Sequence, residues 1–259
     1  MKLGVNIDHI AVLREARKVN DPDPLDALGI LKIAGADQVT IHLREDRRHI
    51  CDEDALRIVQ RSRLPVNLEC STQSDIIDII CRLKPHRATL VPEKREEVTT
   101  EGGLDIVKYE KSVRSAIERL HAHEIEVSLF IDPDMESIAA ADSLDVEWIE
   151  LHTGTYANIY AMLFSQLDRS HHSIKELELP RSTLKTKLDE SLSALESAAE
   201  HASSRGLKVA AGHGLNYENV EAIANIEAIE ELNIGQSIIA RSIYTGLERA
   251  IKDMKALLG

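Results

Sequence analysis

Aromatic side chains are scarce in this sequence: Phe, Trp and Tyr together make up 3% of its 259 residues. That supply excludes the rows of stacking platforms by which proteins hold single-stranded nucleic acid. Positive charge is the second shortage. Asp and Glu outnumber Lys and Arg by 44 to 31, a formal net charge of -13, which argues against a nucleic-acid or anionic-membrane partner. Small anions are not excluded, because exposed charges are screened beyond roughly 8 Å at physiological salt and a local arginine cluster can set the potential of one pocket. No apolar run approaches the ~18 residues of a membrane span, and MKLGVNIDHI does not read as a signal peptide.

Cysteine is also sparse. Cys51, Cys70 and Cys81 are odd in number and lack metal-ligand spacing, so neither a disulfide framework nor a thiolate metal site is expected, and a reducing, cytoplasmic location is. Cys81 falls in a helical pattern and reads as a small core hydrophobe, whereas Cys70 directly follows the carboxylate Glu69. Absent as well is a G-x-G-x-x-G after the first apolar run, which lowers a dinucleotide-binding reading.

What is present is an alternation. Short β-rich runs occur at LGVNID (3–8), QVTIHL (38–43), PVNLEC (65–70) and RATLVP (87–92). Four more follow at EVSLFID (126–132), WIELHTG (148–154), KVAAGHG (208–214) and ELNIGQS (231–237). Each is apolar-dominated, as parallel strands covered on both faces require. Between them lie segments of helical spacing. Asp23–Pro24 opens the first of these as N-cap and first-turn proline. SDIIDIICRLK carries Ser74 as its expected cap, a long stretch runs from about Ser182 to Ser204, and YTGLERAIKDMKALL closes the series. Strict βα alternation means parallel strands with right-handed crossovers. Eight such units in one chain of this length predict an α/β fold, a (β/α)8 TIM barrel spanning residues 1–259 as one domain. The sixth unit is too long, and its polar segment around residues 160–182 reads as an insertion; the adjacent His171 and His172 within it read as solvated.

In such a barrel, function sits at the strand C-termini. The runs end in Asn6, Asp8 and His9; in His42 and Arg44; in Asn67 and Glu69; and in Glu150 and His152. Each pair two apart shares one side of its strand. Converging polar groups are costly to bury without partners, so this many at one rim point to acid–base chemistry. His213 between Gly212 and Gly214, and Gly235 before Gln236, let backbone N–H groups approach an anion closely, with SIIARSI as a short helix facing the same spot. The loop EKREEVTTEGGLD, with Gly102 and Gly103, has the character of a lid.

Taken together, GVNIDHIAVLREAR, HLREDRRHI, VPEKREEVTTEGGLD, VSLFIDPD, IELHTGTYA, AGHGLNYENV and LNIG resemble pyridoxine 5′-phosphate synthase, over residues 3 to about 250. The resemblance implies condensation of 1-deoxy-D-xylulose 5-phosphate with 3-amino-2-oxopropyl phosphate to pyridoxine 5′-phosphate, phosphate and water. It implies no metal and no organic cofactor, small phosphorylated substrates as the only ligands, and a homo-oligomer, an octamer. By the same resemblance Asn6, Arg17, Gly214, Gly235 and Gln236 contact the aminoketone phosphate. Asp8, His9, Arg44, His49 and Thr99 contact the deoxyxylulose phosphate. His42 and Glu69 are then proton acceptors, His213 the proton donor and Glu150 the stabiliser of the transition state, with Arg17 reaching a neighbouring subunit.

Two departures stand out. Gln236 occupies a position where the family carries histidine, and residues 160–182 exceed the family norm. The REDRRH run (residues 44–49) reads as a phosphate clamp, Arg supplying the planar fork and Glu45 and Asp46 orienting the arginines. Two further readings stay open on the residues alone: a metal-dependent hydrolase using His42, Glu69, Glu150, His152 and His213, and a non-catalytic phosphosugar-binding barrel.

Overall fold

Eight parallel strands close on themselves in chain order in the computed structural model, which describes residues 1–99 and 102–259. They are β1 (Lys2–Asn6), β2 (Gln38–His42), β3 (Val66–Cys70) and β4 (Arg87–Leu90). Then follow β5 (Glu126–Ile131), β6 (Trp148–His152), β7 (Lys208–Gly212) and β8 (Glu231–Ile234). Closure is made by β8 against β1, with Leu3 opposite Leu232 and Val5 opposite Ile234.

The strands are not apolar on both sides, as their composition suggested. One alternate set, including Leu3, Val5, Val39, Ile41, Leu68, Leu129 and Ile149, is fully buried in the core shared with the helices. Removing each such side chain from water contributes about 1.5–3 kcal/mol. The other set fills the barrel with polar groups bonded to one another. Thr40 Oγ1 donates to Asn233 Oδ1 at 3.1 Å, Thr89 Oγ1 to Asn67 Oδ1 at 2.7 Å and Arg87 Nη1 to Glu231 Oε1 at 2.8 Å. The period of two therefore sorts each strand into a packing face and a chemical face.

Helices cover the outside. α1 (Asp8–Arg17) directly follows β1, and the sequence reading, which ran the first strand to Asp8, had no helix there. Next come α2 (Ala27–Ala34), α3 (Asp52–Arg61), α4 (Ser74–Leu83), α5 (Glu110–His121) and α6 (Met135–Ser143). Asp23 caps the 3-10 turn before α2 by accepting from Leu25 N–H at 2.9 Å, as its Asp–Pro sequence predicted. Ser74 is not a cap: it is the first residue of α4, and its hydroxyl accepts from Arg119 at 3.0 Å. Cys81 packs in the core at 6% exposure. Cys70 lies on the helix-facing side of β3, and burial raises its thiol far above the usual range, which removes it from the chemistry.

The long sixth unit is more structured than a polar insertion. α7 (Gly154–Phe164) begins at the strand end, six residues before the expected insertion, and α8 (Arg181–Ser204) follows two 3-10 turns. Ile159, Met162, Leu163 and Leu184 form their own apolar cluster, with Leu167, Ile174 and Leu177 packed on it. After α9 (Val220–Ala224), the short helix expected at SIIARSI is α10 (Gln236–Thr245) and the closing helix is α11 (Leu247–Leu257). Gly246, at φ +80°, makes the break.

Candidate active site

Ten of the residues expected at the mouth line one cavity of about 620 Å³ above the strand C-termini. They are Asn6, His9, His42, Arg44, Glu69, Glu150, His213, Gly214, Gly235 and Gln236, with Gly235 directly against Asn6. Asp8 stands beneath them, with ligand atoms of Asp8, His42 and Glu69 all within 4.8 Å of one another. Asn6 sets the position of Asp8: its Oδ1 accepts the Asp8 N–H at 2.9 Å and its Nδ2 donates to Asp8 Oδ2 at 3.1 Å. Asp8 Oδ1 in turn accepts the His42 N–H at 2.9 Å, joining the ends of β1 and β2.

Three carboxyls share this space, and all titrate late. Burial pushes Asp8 up to about 6, against the lowering effects of its hydrogen bonds and of His42. Glu69 is raised well above its usual value by burial and by the charges of Glu150 and Asp8. Glu150 is pushed up to about 7 by burial, although Asn233 Nδ2 donates to its Oε2 at 2.8 Å. Groups of this kind exchange protons near neutral pH, which suits a reaction with several proton transfers. A stability consequence follows. The raised carboxyls favour their neutral forms in the fold, so their contribution is full below about pH 4 and is lost as pH rises towards 7. Glu150→Gln, neutral at every pH, is expected to unfold at higher urea than the parent at pH 8, by ~1–3 kcal/mol, and equally at pH 4. Coincident urea curves at pH 8 would refute the burial argument.

His213 is held in an uncommon conformation. Its φ is +86°, a region that costs a non-glycine residue about 1–3 kcal/mol and concentrates at functional sites. Thr153 Oγ1 pins the segment by donating to the carbonyls of Gly212 at 2.7 Å and His213 at 2.6 Å. The residue is exposed at the rim, yet its ring packs 5.1 Å from His152 and 6.3 Å from Phe130. Desolvation of the ring and the charge of His152 lower its pKa.

The three arginines of the REDRRH run part company. Arg44 is half-buried and lines the cavity. Arg47 folds back, donating to the carbonyls of Arg44 at 2.6 Å and Glu45 at 3.1 Å, and holds its own loop together. Arg48 points outward onto Asp46. Asp46 orients both Arg44 and Arg48, as expected, but Glu45 does not: its nearest cation is Lys94, at 3.8 Å. His49 sits beside His42, ring centres 6.2 Å apart. Its Nδ1 accepts the Ile50 N–H at 2.8 Å, leaving Nε2 as the donor, and burial and neighbouring cations lower its pKa to about 4. The loop end is fixed by buried Arg14 of α1, which donates to the His49 carbonyl at 2.9 Å and to both oxygens of Asp54 at 2.8 Å.

Two expected residues stand apart from this cavity. Thr99 donates its hydroxyl to Asp132 on the adjoining face. Arg17 is exposed at the far end of α1, roughly 13 Å along the helix axis from Asp8. Thr100 and Glu101 of the expected lid lie outside the described residues. Gly102 and Gly103 serve close packing there: a Cβ would stand 2.6 Å from the His152 ring at the first and 2.5 Å from the Asp132 backbone N at the second. The sequence-based metal set is not the cluster that forms, since the compact trio is Asp8, His42 and Glu69.

Two neighbours of the site, Glu93 and Asp132, have no role in the sequence reading. Glu93 binds His42, and Asp132 accepts from Gly103 N–H at 3.0 Å while lying 3.4 Å from His152 Nδ1. Asp132 was findable: Ser128, Phe130 and Asp132 are spaced by two, the rule applied to four other strands. Glu93, inside a run of charges, carried no such signal.

A family model described as pyridoxal phosphate biosynthesis protein PdxJ matches residues 3–259. Pyridoxine 5′-phosphate synthase of Aliarcobacter butzleri (strain RM4018) is 68% identical over 258 residues, covering 100% of this chain and 99% of that protein. The protein of the same name from Sulfurovum sp. (strain NBC37-1) is also 68% identical over 258 residues, covering 100% of both. Among solved structures, phosphoribosyl anthranilate isomerase from Thermus thermophilus aligns over 100% of this chain and 98% of its own, with a TM-score of 0.56 and 12% identity. That likeness bears on the barrel alone.

Proposed function

The chain belongs to the family of pyridoxal phosphate biosynthesis protein PdxJ, and on that premise we propose that its barrel mouth joins 1-deoxy-D-xylulose 5-phosphate to 3-amino-2-oxopropyl phosphate, releasing pyridoxine 5′-phosphate, phosphate and water. One observation carries the residue roles: two carboxyls of raised pKa, Glu69 and Glu150, and three histidines line a single cavity of about 620 Å³, with the late-titrating Asp8 beside His42 and Glu69. Imine formation, phosphate loss, water addition and ring closure move protons on and off one bound adduct, so groups of different basicity must be held around it. His42 and Glu69 take protons, and His213 delivers them from the opposite rim. Glu150, neutral or ionised near pH 7, stabilises charge as it develops.

Two phosphate esters need two anion sites. Arg44, with His9 and the Nε2–H of His49, suits one. Gly214 and Gly235, with the N-terminus of α10 at Gln236, suit the other. Gln236 keeps a donor there without a charge. Asp8 and Asn6 complete the floor, and Thr99 is assigned to the deoxyxylulose phosphate through the loop it anchors.

No helix among the described residues is long and apolar enough to cross a membrane. A cytoplasmic homo-oligomer, an octamer, fits the exposed apolar residues Val12, Leu13, Ile243 and Tyr244 on the adjoining helices α1 and α10. Arg17, on the same face region, is then free to enter a neighbour's site.

Chelator-treated protein incubated with both substrates is expected to form pyridoxine 5′-phosphate and phosphate in equal amounts. No product under conditions where the Aliarcobacter butzleri relative turns over would overturn the assignment. Turnover restored only by a stoichiometric divalent ion would move it to the metal-dependent reading that the Asp8–His42–Glu69 trio permits.

A further inference from the structure

We infer that Glu93 is a positioning residue, a buried carboxylate that fixes the tautomer and orientation of His42 and ties it to the arginine-bearing loop. The inference rests on the reading of His42 as a proton acceptor. Glu93 lies three positions beyond the end of β4, and its side chain is 4% exposed. Its two oxygens have separate partners. Oε1 is 3.0 Å from His42 Nε2, and Oε2 accepts the Glu45 N–H at 2.9 Å. Arg44 Nη2 stands 3.9 Å from the same Oε2.

Burial works to protonate Glu93, but its hydrogen bonds from His42 and Glu45 and the charges of His42 and Arg44 outweigh it and hold the pKa below the usual value. An ionised carboxylate only accepts, so His42 Nε2 carries the hydrogen. In the neutral ring Nδ1 is then bare. It faces the cavity beside Glu69 Oε2, at 3.8 Å, too far for that carboxylate to occupy it with a short hydrogen bond. A lone pair aimed at the cavity is what a proton acceptor must present. Glu93 thus stands to His42 as the buried aspartate stands to histidine in a serine-protease triad, holding the ring and compensating the charge it gains with a proton.

The anchor is itself anchored. The backbone N–H groups of Glu93 and Lys94 donate to Glu97 Oε2 at 3.1 Å and 3.2 Å. The loop after β4 and the arginine-bearing loop after β2 therefore meet at one side chain. Other charged or titratable groups around His42 are Glu69 from β3, Asp8 from α1, and Arg44 and His49 from its own loop.

Glu93→Gln tests this directly. Glutamine offers one acceptor where the carboxylate offered two. With its oxygen on the Glu45 N–H, its amide N–H meets Nε2 and drives the ring hydrogen to Nδ1. The expected result is a kcat lowered about 10²-fold or more, with KM for each substrate changed less than about threefold. Histidine 15N NMR is expected to report Nε2–H in the parent and Nδ1–H in Glu93→Gln. Glu93→Asp, which keeps two acceptors on a shorter arm, is expected to restore the parent tautomer and part of kcat. An unchanged kcat, or loss of kcat with the parent tautomer retained, overturns the inference. So does an Nδ1–H His42 in the parent, a measurement independent of whether any variant folds. A parent protein without synthase turnover would sink the proposed function instead, while the NMR comparison still decides what Glu93 does to His42.

Discussion

Glu69→Gln is expected to lower kcat by about 10³-fold, within the range that a positioned acid–base group contributes, while leaving the protein as stable as before or more so. The reasoning joins three observations. Glu69 faces the cavity, its oxygen lies 3.8 Å from His42 Nδ1, and its pKa is raised by burial and by Glu150 and Asp8. Glutamine matches it in size but takes up no proton. Because the fold favours the neutral carboxyl, the substitution removes a cost that grows as pH rises, so the unfolding midpoint at pH 8 should hold or climb. The phosphate sites lie on other residues, so binding of each ester should change little. Steady-state kinetics with urea unfolding at pH 8 separates the outcomes: kcat within about fivefold of the parent removes Glu69 from the chemistry. Lost activity with lost stability would make it a structural residue.

Sequence periodicity carried the barrel. Strands and helices alternate so regularly that closure in chain order followed from strand count and length. What it concealed was the inside. Thr40, Asn67, Thr89, Ser128 and Asn233 are fully or nearly fully buried without being apolar. Composition averages over the two sides of a five-residue strand, and only the pairing across the lumen reveals that one side is a polar network. α1 was missed for a related reason. Asp8 and His9 read as a strand end, and the helix begins within that same run. α7 overlaps the expected insertion only at its end, where the polar residues after Phe164 mask an apolar face that packs on α8.

The site was legible chiefly where a strand delivered two polar residues at a spacing of two. His42 and Arg44 line the cavity together, and ten expected residues meet there, but Asn67 is bonded to Thr89 inside the barrel while Glu69 reaches the mouth, and His152 lines a different pocket from Glu150. Residues on loops were not legible by that rule. The strained φ of His213 is a tertiary effect with no local sequence cause. The roles of Arg47 and Arg48 were not separable from that of Arg44 in a run of charges, since only the fold of the loop turns one inward. Glu93 shows the same limit: its sequence neighbours are Lys94, Arg95, Glu96 and Glu97, and nothing in that run distinguishes the carboxylate that reaches His42.

The polar interior also makes the barrel vulnerable at its other end. Arg87 and Glu231 pair at 2.8 Å with side chains 4% and 3% exposed, and the guanidinium lies 3.8 Å over the Trp148 ring. Breaking a buried pair by removing one partner strands a charge, at a cost of about 3–5 kcal/mol. Arg87→Met is therefore expected to lower the thermal midpoint by about 10 °C for a domain of this size. Adding Glu231→Leu is expected to recover most of the loss, since an apolar pair of similar volume does about as well as a buried ion pair. The mouth should register the same change. Gln38 Nε2 donates to Glu231 Oε1 at 2.9 Å and lies 3.4 Å from Asn233 Oδ1, and Asn233 holds Glu150. The charge of Arg87 lowers the Glu150 pKa and that of Glu231 raises it, so Arg87→Met should shift the Glu150 limb of the kcat profile to higher pH. An Arg87→Met protein that unfolds with the parent at pH 8 would mean that the stranded carboxylate finds another partner, and the claim that this pair stabilises the barrel interior would fail.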